Sequence, residues 1–162
     1  MGEYLHSYFH VRMANYSDIE AIMCITREAF SKYAELSESQ HLDALCETEK
    51  DIKNDIDTKI VLIAVRDNIP VGSVRVAVDR ENHTAYLSRF AVKVSSQNNG
   101  IGKSIMNLVD RIMIKKGVKE IALDTGSKIT SLVRFYYGRG FYIDSTDKSR
   151  GYVRAHLVKE YK

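Results

Sequence analysis

The sequence predicts a mixed α/β (α+β) fold over residues 1–162 as a single domain. About seven strands and about four helices are expected, in the order β-α-α-β-β-β-α-β-α-β-β around a mostly antiparallel sheet. Three observations carry this reading. Dense apolar runs at residues 59–65, 71–78 and 85–94 follow one another with only short polar turns between them, as consecutive strands do. The last run passes through Gly100 and Gly102 into a helical spacing of Ile101, Ile105, Leu108 and Ile112. A further strand at 120–125 follows that helix directly, which implies a parallel crossover from the strand before it.

The remaining elements follow in order. Residues 9–13 alternate apolar with polar and predict a short first strand. Ser17 and Glu20 have the spacing of a capping box, opening a helix with Ile19, Ile22, Met23 and Phe30 on one side. A second, highly charged helix is expected over 38–56, lying on the surface because its apolar face (Leu42, Leu45, Ile52, Ile56) is thin. Asp67, Asn68, Ile69 and Pro70 supply turn chemistry between two strands, with Pro70 at an edge where a missing N–H costs little. Residues 80–83 make the next turn. The helix predicted over 100–116 stops at Gly117. Ile129, Leu132, Val133 and Tyr136 repeat at helical spacing, and Gly138 and Gly140 end that helix. Residues 141–143 and 152–158 read as a closing hairpin around Asp147, Lys148 and Ser149.

Composition narrows the function. Hydrophobic residues at 44% and charged residues at 28% are ordinary for a globular protein of this length. The longest wholly apolar run, residues 60–65, is far below the roughly 20 residues a membrane span needs. The mixed, polar start does not resemble a signal peptide. Cys24 and Cys46 form no motif, and a reduced, cytoplasmic protein is expected. The net charge of +3 hides an asymmetry: residues 1–81 hold 9 Lys+Arg against 15 Asp+Glu, and residues 82–162 hold 15 against 6. A basic half suits a polyanion and an acidic half suits a cation. No nucleic-acid motif or aromatic-basic interleaving accompanies the basic half, so no nucleic-acid partner is expected. No pair of histidines or cysteines has metal-ligand spacing, and no metal is expected.

The stretch Gln97, Asn98, Asn99, Gly100, Ile101, Gly102, Lys103, Ser104 is the candidate phosphate site. A strand, a glycine turn and a helix N-terminus in that order present backbone N–H donors and the positive end of the helix dipole. Gly100 and Gly102 would let a pyrophosphate approach the backbone. Gly102, Lys103 and Ser104 imitate the end of a P-loop, but Gln97 stands where that motif needs its first glycine.

Gln97, Gly100 and Gly102 do satisfy Q-x-x-G-x-G after an apolar strand, a pattern that resembles the coenzyme A loop of the GNAT superfamily of N-acetyltransferases. A second motif, with Phe135, Tyr136, Gly140 and Phe141 in place, resembles the F-Y-x-x-x-G-F segment of the same superfamily. The element order is similar to the GNAT-like acyl-CoA N-acyltransferase fold over essentially the whole chain. Two positions depart from the superfamily pattern: Ile129 stands where many members have asparagine, and residues 87–90 carry no carboxylate to act as general base.

The resemblance implies direct transfer of an acetyl group from acetyl-CoA to a primary amine in a ternary complex. The acceptor would be a small-molecule or peptide amine, and a homodimer is an assembly found among members. It implies cofactor contacts from Phe90, Ala91, Val92, Lys93 and Val94 on the strand, then from Gln97 through Ser104 on the loop. The N–H of Val92 or its neighbour is the expected oxyanion donor. Tyr136 is the expected acid for the departing thiolate, with Tyr137 its rival one position away around the helix. Of the nearby carboxylates, Asp79, Glu81 and Asp124 are each expected to be surface or turn charges. A non-catalytic acyl-CoA-binding domain on the same scaffold is the alternative.

Overall fold

The structure, a computed structural model, describes residues 8–39 and 42–162. Seven strands form one sheet in the order β1-β2-β3-β4-β5-β7-β6, and every neighbouring pair is antiparallel except β4 and β5. The strands are β1 (Phe9–Met13), β2 (Ile60–Arg66), β3 (Ile69–Asp79), β4 (Thr84–Val92), β5 (Glu120–Gly126), β6 (Tyr142–Asp147) and β7 (Arg154–Glu160). The helices are α1 (Ile19–Ser37), α2 (Glu49–Thr58), α3 (Ile101–Lys115) and α4 (Thr130–Gly138).

Strand β2 shows why helices cover both sheet faces. Its side chains alternate between two cores: Leu62 and Ala64 join the cluster with Ile105, Met106 and Val109 of α3, while Val61, Ile63 and Val65 join Ile22 of α1 and Ile52 of α2. Successive strand side chains point to opposite faces, so α3 lies on one side and α1 with α2 on the other. Tyr136 and Phe141 join the α3 side of the core.

The short turns follow from local chemistry. Asp67 and Asn68 have φ of 50° and 65°, the left-handed pair that a two-residue hairpin requires between β2 and β3. Pro70 is not at a sheet edge as expected. It is the second residue of interior strand β3, opposite Val65, where the β2–β3 register shifts and the ladder is already interrupted.

Two sequence expectations for the first half need correction. The capping box uses Asn15 and Asp18, not Ser17 and Glu20. Asp18 accepts two bonds from Arg12, at 2.7 Å and 3.0 Å, and its carboxylate is held below its ordinary pKa chiefly by that guanidinium. The helix expected over 38–56 is also broken. A left-handed Glu38 ends α1, a single 3₁₀ turn spans Asp43–Leu45, and α2 starts only after Thr48, whose side chain and that of Asp51 form a second capping box. Residues 40 and 41 of the expected helix, like residues 1–7 of the expected polar start, lie outside the described residues. The segment is not simply superficial, because Ile52 is wholly buried.

Candidate active site

The parallel pair β4 and β5 is joined only at its beginning. Thr84, Ala85 and Tyr86 pair with Glu120, Ile121 and Ala122, and there the ladder stops, although both strands continue. The cause lies in β4. Ser88 faces Arg75 and Ala91 faces Ser73, so β4 holds one residue more than β3 over this stretch. Arg89 sits at that bulge with φ of 51°, and a bulge bends and twists its strand. Strand β4 therefore turns away from β5, and β5 pairs on its other side with β7.

A charged cluster underlies the bulge. The Arg75 guanidinium is buried, donates to both carboxylate oxygens of Glu47, and reaches Asp55 at 2.9 Å. Arg89 Nε reaches the same Glu47 at 3.3 Å. Arg75 stands between Val74 and Val76, which face α3, so its own side chain is directed to the α1–α2 side. Pairing on this scale is what a buried charge requires.

Two adjoining cavities open where β4 and β5 part. They share Phe30 and Tyr33 of α1, Phe90 of β4 and Leu132 of α4, so helices on both sheet faces close one continuous cleft. The first cavity, about 310 Å³, is lined by Tyr86, Arg89, Asp124, Tyr136, Arg150 and Arg154 among others. The second, about 330 Å³, is lined by Ala91, Val92, Gln97, Asn98, Gly100, Gly102, Lys103 and Ile129 among others.

The loop expected to take phosphate lies on the wall of the second cavity. A 3₁₀ turn, Val94–Ser96, follows β4, and Asn98 (φ 67°) and Gly100 (φ 78°) take left-handed backbone before α3 begins. Gln97 Nε2 donates to the Val92 carbonyl at 3.1 Å, tying the loop to the end of β4. The Val94 N–H donates to Glu28 of α1 at 2.8 Å. Ser104 donates its N–H to the Gly100 carbonyl, so the donors without an intrahelical acceptor precede it, at Ile101, Gly102 and Lys103.

The two glycines serve different ends. Gly100 needs its freedom for a positive φ, and nothing stands within 4 Å of where a Cβ would be. At Gly102 a Cβ would lie 3.1 Å from the Phe90 ring, so this glycine lets the helix settle on an aromatic side chain. Ile101 is a buried core residue. Of the other expected contacts, Lys93, Val94 and Asn99 before α3 and Ser104 in its first turn are not on the wall of either cavity.

Tyr136 is buried at the centre of an aromatic group, with ring centroids 6.2 Å from Phe90, 5.4 Å from Phe135 and 5.7 Å from Phe141. Burial pushes its phenol well above the ordinary tyrosine pKa, so it is protonated at neutral pH. Tyr137 is half exposed and lines neither cavity. The helical step between neighbours sends these two side chains in different directions. Ile129, where the superfamily often has asparagine, packs on Gly126 and lines the second cavity.

Nothing local in the sequence marks the polar wall of the first cavity. Asp124 is not a plain surface charge: it accepts a hydrogen bond from the Tyr86 hydroxyl and meets His156 Nδ1 at 3.1 Å. Burial is the first cause, and Asp124 the next, of a Tyr86 pKa raised well above its ordinary value. Asp124 and His156 are direct cross-strand partners, which follows from β7 lying beside β5. Asp79, by contrast, closes its own turn by accepting from Glu81 and Asn82. Among the described residues no group of three or more His, Cys, Asp or Glu is placed to hold a metal ion.

Comparison with known proteins accords with this architecture. The model of the Acetyltransferase (GNAT) family matches residues 19–141. A spermidine N(1)-acetyltransferase of Thermoplasma acidophilum is 25% identical over 150 residues, covering 86% of this chain and 91% of the relative. Among solved structures, the PaiA N-acetyltransferase of the same organism in complex with coenzyme A superposes with a TM-score of 0.83 at 21% identity, over 95% of this chain and 99% of that one. The ribosomal-protein-S18-alanine N-acetyltransferase of Escherichia coli superposes with a TM-score of 0.77 at 13% identity, covering 94% of each chain. The chain belongs to the GNAT acetyltransferase family, and it is an N-acetyltransferase. No helix among the described residues is long and apolar enough to cross a membrane.

Proposed function

We propose that this enzyme moves an acetyl group from acetyl-CoA to a primary amine, with donor and acceptor entering the cleft from its two cavities. The observation that carries this reading is the parting of β4 from β5 after Tyr86 and Ala122. It frees the backbone of β4 beyond the bulge, and it joins a cavity beside an open helix N-terminus to one walled by Asp124.

In this reading the pyrophosphate of coenzyme A lies on the open N–H groups at the start of α3, with Gln97, Asn98 and Lys103 around it. The chain of the cofactor follows the freed edge of β4 from Val92 towards Phe90. The thioester then reaches the junction of the two cavities, beside Phe90, Leu132 and Tyr136. The acceptor comes from the first cavity as an ammonium and must lose a proton before its nitrogen can attack the carbonyl. Asp124, held by Tyr86 and His156, is the carboxylate on that wall able to receive it. A backbone N–H of β4 at Val92 or its neighbour stabilises the oxyanion of the tetrahedral adduct. As the adduct collapses the C–S bond breaks and the amide forms; Tyr136 supplies the proton that turns the departing thiolate into a thiol, and the second proton shed by the nitrogen, passed on through water in the cleft, restores the phenol.

The free, exposed Cys24 and Cys46 support a reducing, cytoplasmic setting for this single-domain enzyme. The test combines two measurements on the full chain. Acetyl-CoA at 100 times its Kd should add about 2.7 kcal/mol, a rise of about 5–10 °C in Tm, while ATP with Mg²⁺ should add nothing. Coenzyme A thiol should then be released only when an amine is present. A melt that rises with acetyl-CoA while no amine from a broad panel releases thiol would instead establish the binding-only alternative.

A further inference from the structure

The first cavity is lined by three arginines and two aspartates, and its arginines differ in how closely they are paired. Both oxygens of Asp124 are engaged, one by Tyr86 and one by His156. Asp43 is engaged by Arg150 at 3.3 Å. Facing them are guanidinium groups of Arg89, Arg150 and Arg154. Arg89 is committed to Glu47 below the bulge. Arg154 is different: its side chain is only 20% exposed, its one carboxylate contact is Asp147 at the outer limit of 3.5 Å, and its buried Nε has no partner among the described residues. Arg150 and Arg154 both lie near enough to the Tyr86 phenol to favour its ionised form, which places the two guanidiniums at the same wall.

A polyamine would bring several ammonium groups to this wall, where Asp124 can meet one of them and the loosely paired Arg154 disfavours the rest. An acceptor with an amine at one end and an anion at the other meets the opposite conditions. Its amine can approach Asp124 on the cavity wall, and its anion can take the outer N–H donors of Arg154, which are only loosely held by Asp147.

We infer that the acceptor is a small primary amine that also carries a carboxylate or a phosphate, received by Arg154 with Arg150. This rests on the acetyl-transfer reading above. It separates the enzyme from a relative named for spermidine.

Matched acceptors that differ only in the anionic group test it. With saturating acetyl-CoA, thiol release is followed for lysine against cadaverine, for phosphoethanolamine against ethanolamine, and for spermidine. The expected result is a kcat/KM at least tenfold higher for the acidic member of one pair than for its partner or for spermidine. Which pair shows the gap decides between carboxylate and phosphate. Arg154→Gln should lower kcat/KM for that acidic acceptor at least tenfold and leave its neutral partner within twofold. The acetyl-CoA-induced rise in Tm should be unchanged in that variant, and Arg150→Gln should show a smaller loss of the same kind. Equal or better turnover of cadaverine, ethanolamine or spermidine overturns the inference while leaving acetyl transfer intact. So does an Arg154→Gln variant that binds acetyl-CoA normally and loses both members of the pair alike. No thiol release with any amine, despite a normal acetyl-CoA melt, overturns the transfer reading itself and this inference with it.

Discussion

Phe90 and Phe135 stack with ring centroids 5.5 Å apart and planes 16° from parallel, and Gly102 rests on both rings. This one contact joins the end of β4, the middle of α4 and the first turn of α3. Strand β4 and helix α4 also line the junction of the cavities, with α1 opposite, and α3 lines the second cavity. The position of the α3 N-terminus therefore depends on two aromatic rings and on the absence of a side chain at residue 102.

Substitution at the two loop glycines should separate packing from backbone strain. Gly102→Leu forces the stacked rings apart and should lower Tm and weaken acetyl-CoA binding together. Gly100→Ala meets open space, so its cost is the left-handed backbone alone, about 1–2 kcal/mol. For a domain of this length that is a fall of about 2–8 °C. Melts of both variants with and without acetyl-CoA check this.

Removing one member of the buried ion cluster should be far more damaging than replacing the cluster. Arg75→Ala leaves the buried Glu47 with only its longer contact to Arg89 and should cost about 3–5 kcal/mol. Arg75→Met combined with Glu47→Leu should recover most of that loss, since neither charge is then buried alone. Urea unfolding of the parent and the two variants measures the difference. The double variant recovering nothing would mean that the cluster also fixes the shape of the bulge.

Tyr136→Phe should reduce kcat by about tenfold or more, with little change in acetyl-CoA affinity. Tyr137→Phe, at an exposed position, should behave as the parent enzyme. Steady-state kinetics with the best acceptor decide it, and a reversed pattern would assign the proton donor to Tyr137.

Alkaline stability should follow the buried phenols. Tyr33, Tyr86, Tyr136 and Tyr161 all have pKa values raised above the ordinary tyrosine value, with burial the first cause in each. The folded chain thus holds these protons more tightly than the unfolded chain. Their stabilisation is fully present below the unfolded pKa of about 10 and is lost as pH rises beyond it. Melting temperatures from pH 8 to 11 should be flat and then fall, and Tyr136→Phe should make the fall shallower.

Local chemistry read well where neighbours in the chain decide the outcome. The strand-turn-helix at Gln97, Gly100 and Gly102, the left-handed turn at Asp67 and Asn68, and the stop at Gly117 all follow from short-range sterics and backbone donors. Reading failed where a distant partner decides. Two capping boxes were available near the start of α1, and Arg12, reaching Asp18 from β1, accompanies the one that formed. The charged stretch before β2 looked like a single helix, but its Glu47 and Asp55 are spent on Arg75, a residue 20 or more positions away.

The family, the order of elements and the phosphate-loop candidate are all legible in the chain itself, because glycine spacing and apolar periodicity express the backbone directly. Which polar residues meet across the cleft depends instead on the folded arrangement of distant strands. Asp124 and His156 face each other because β7 enters the sheet between β5 and β6. Tyr136 and Tyr137 part company because one side chain is packed among aromatic rings and the other points to solvent. Strand pairing and burial are set by contacts far apart in the chain, and no local pattern encodes them.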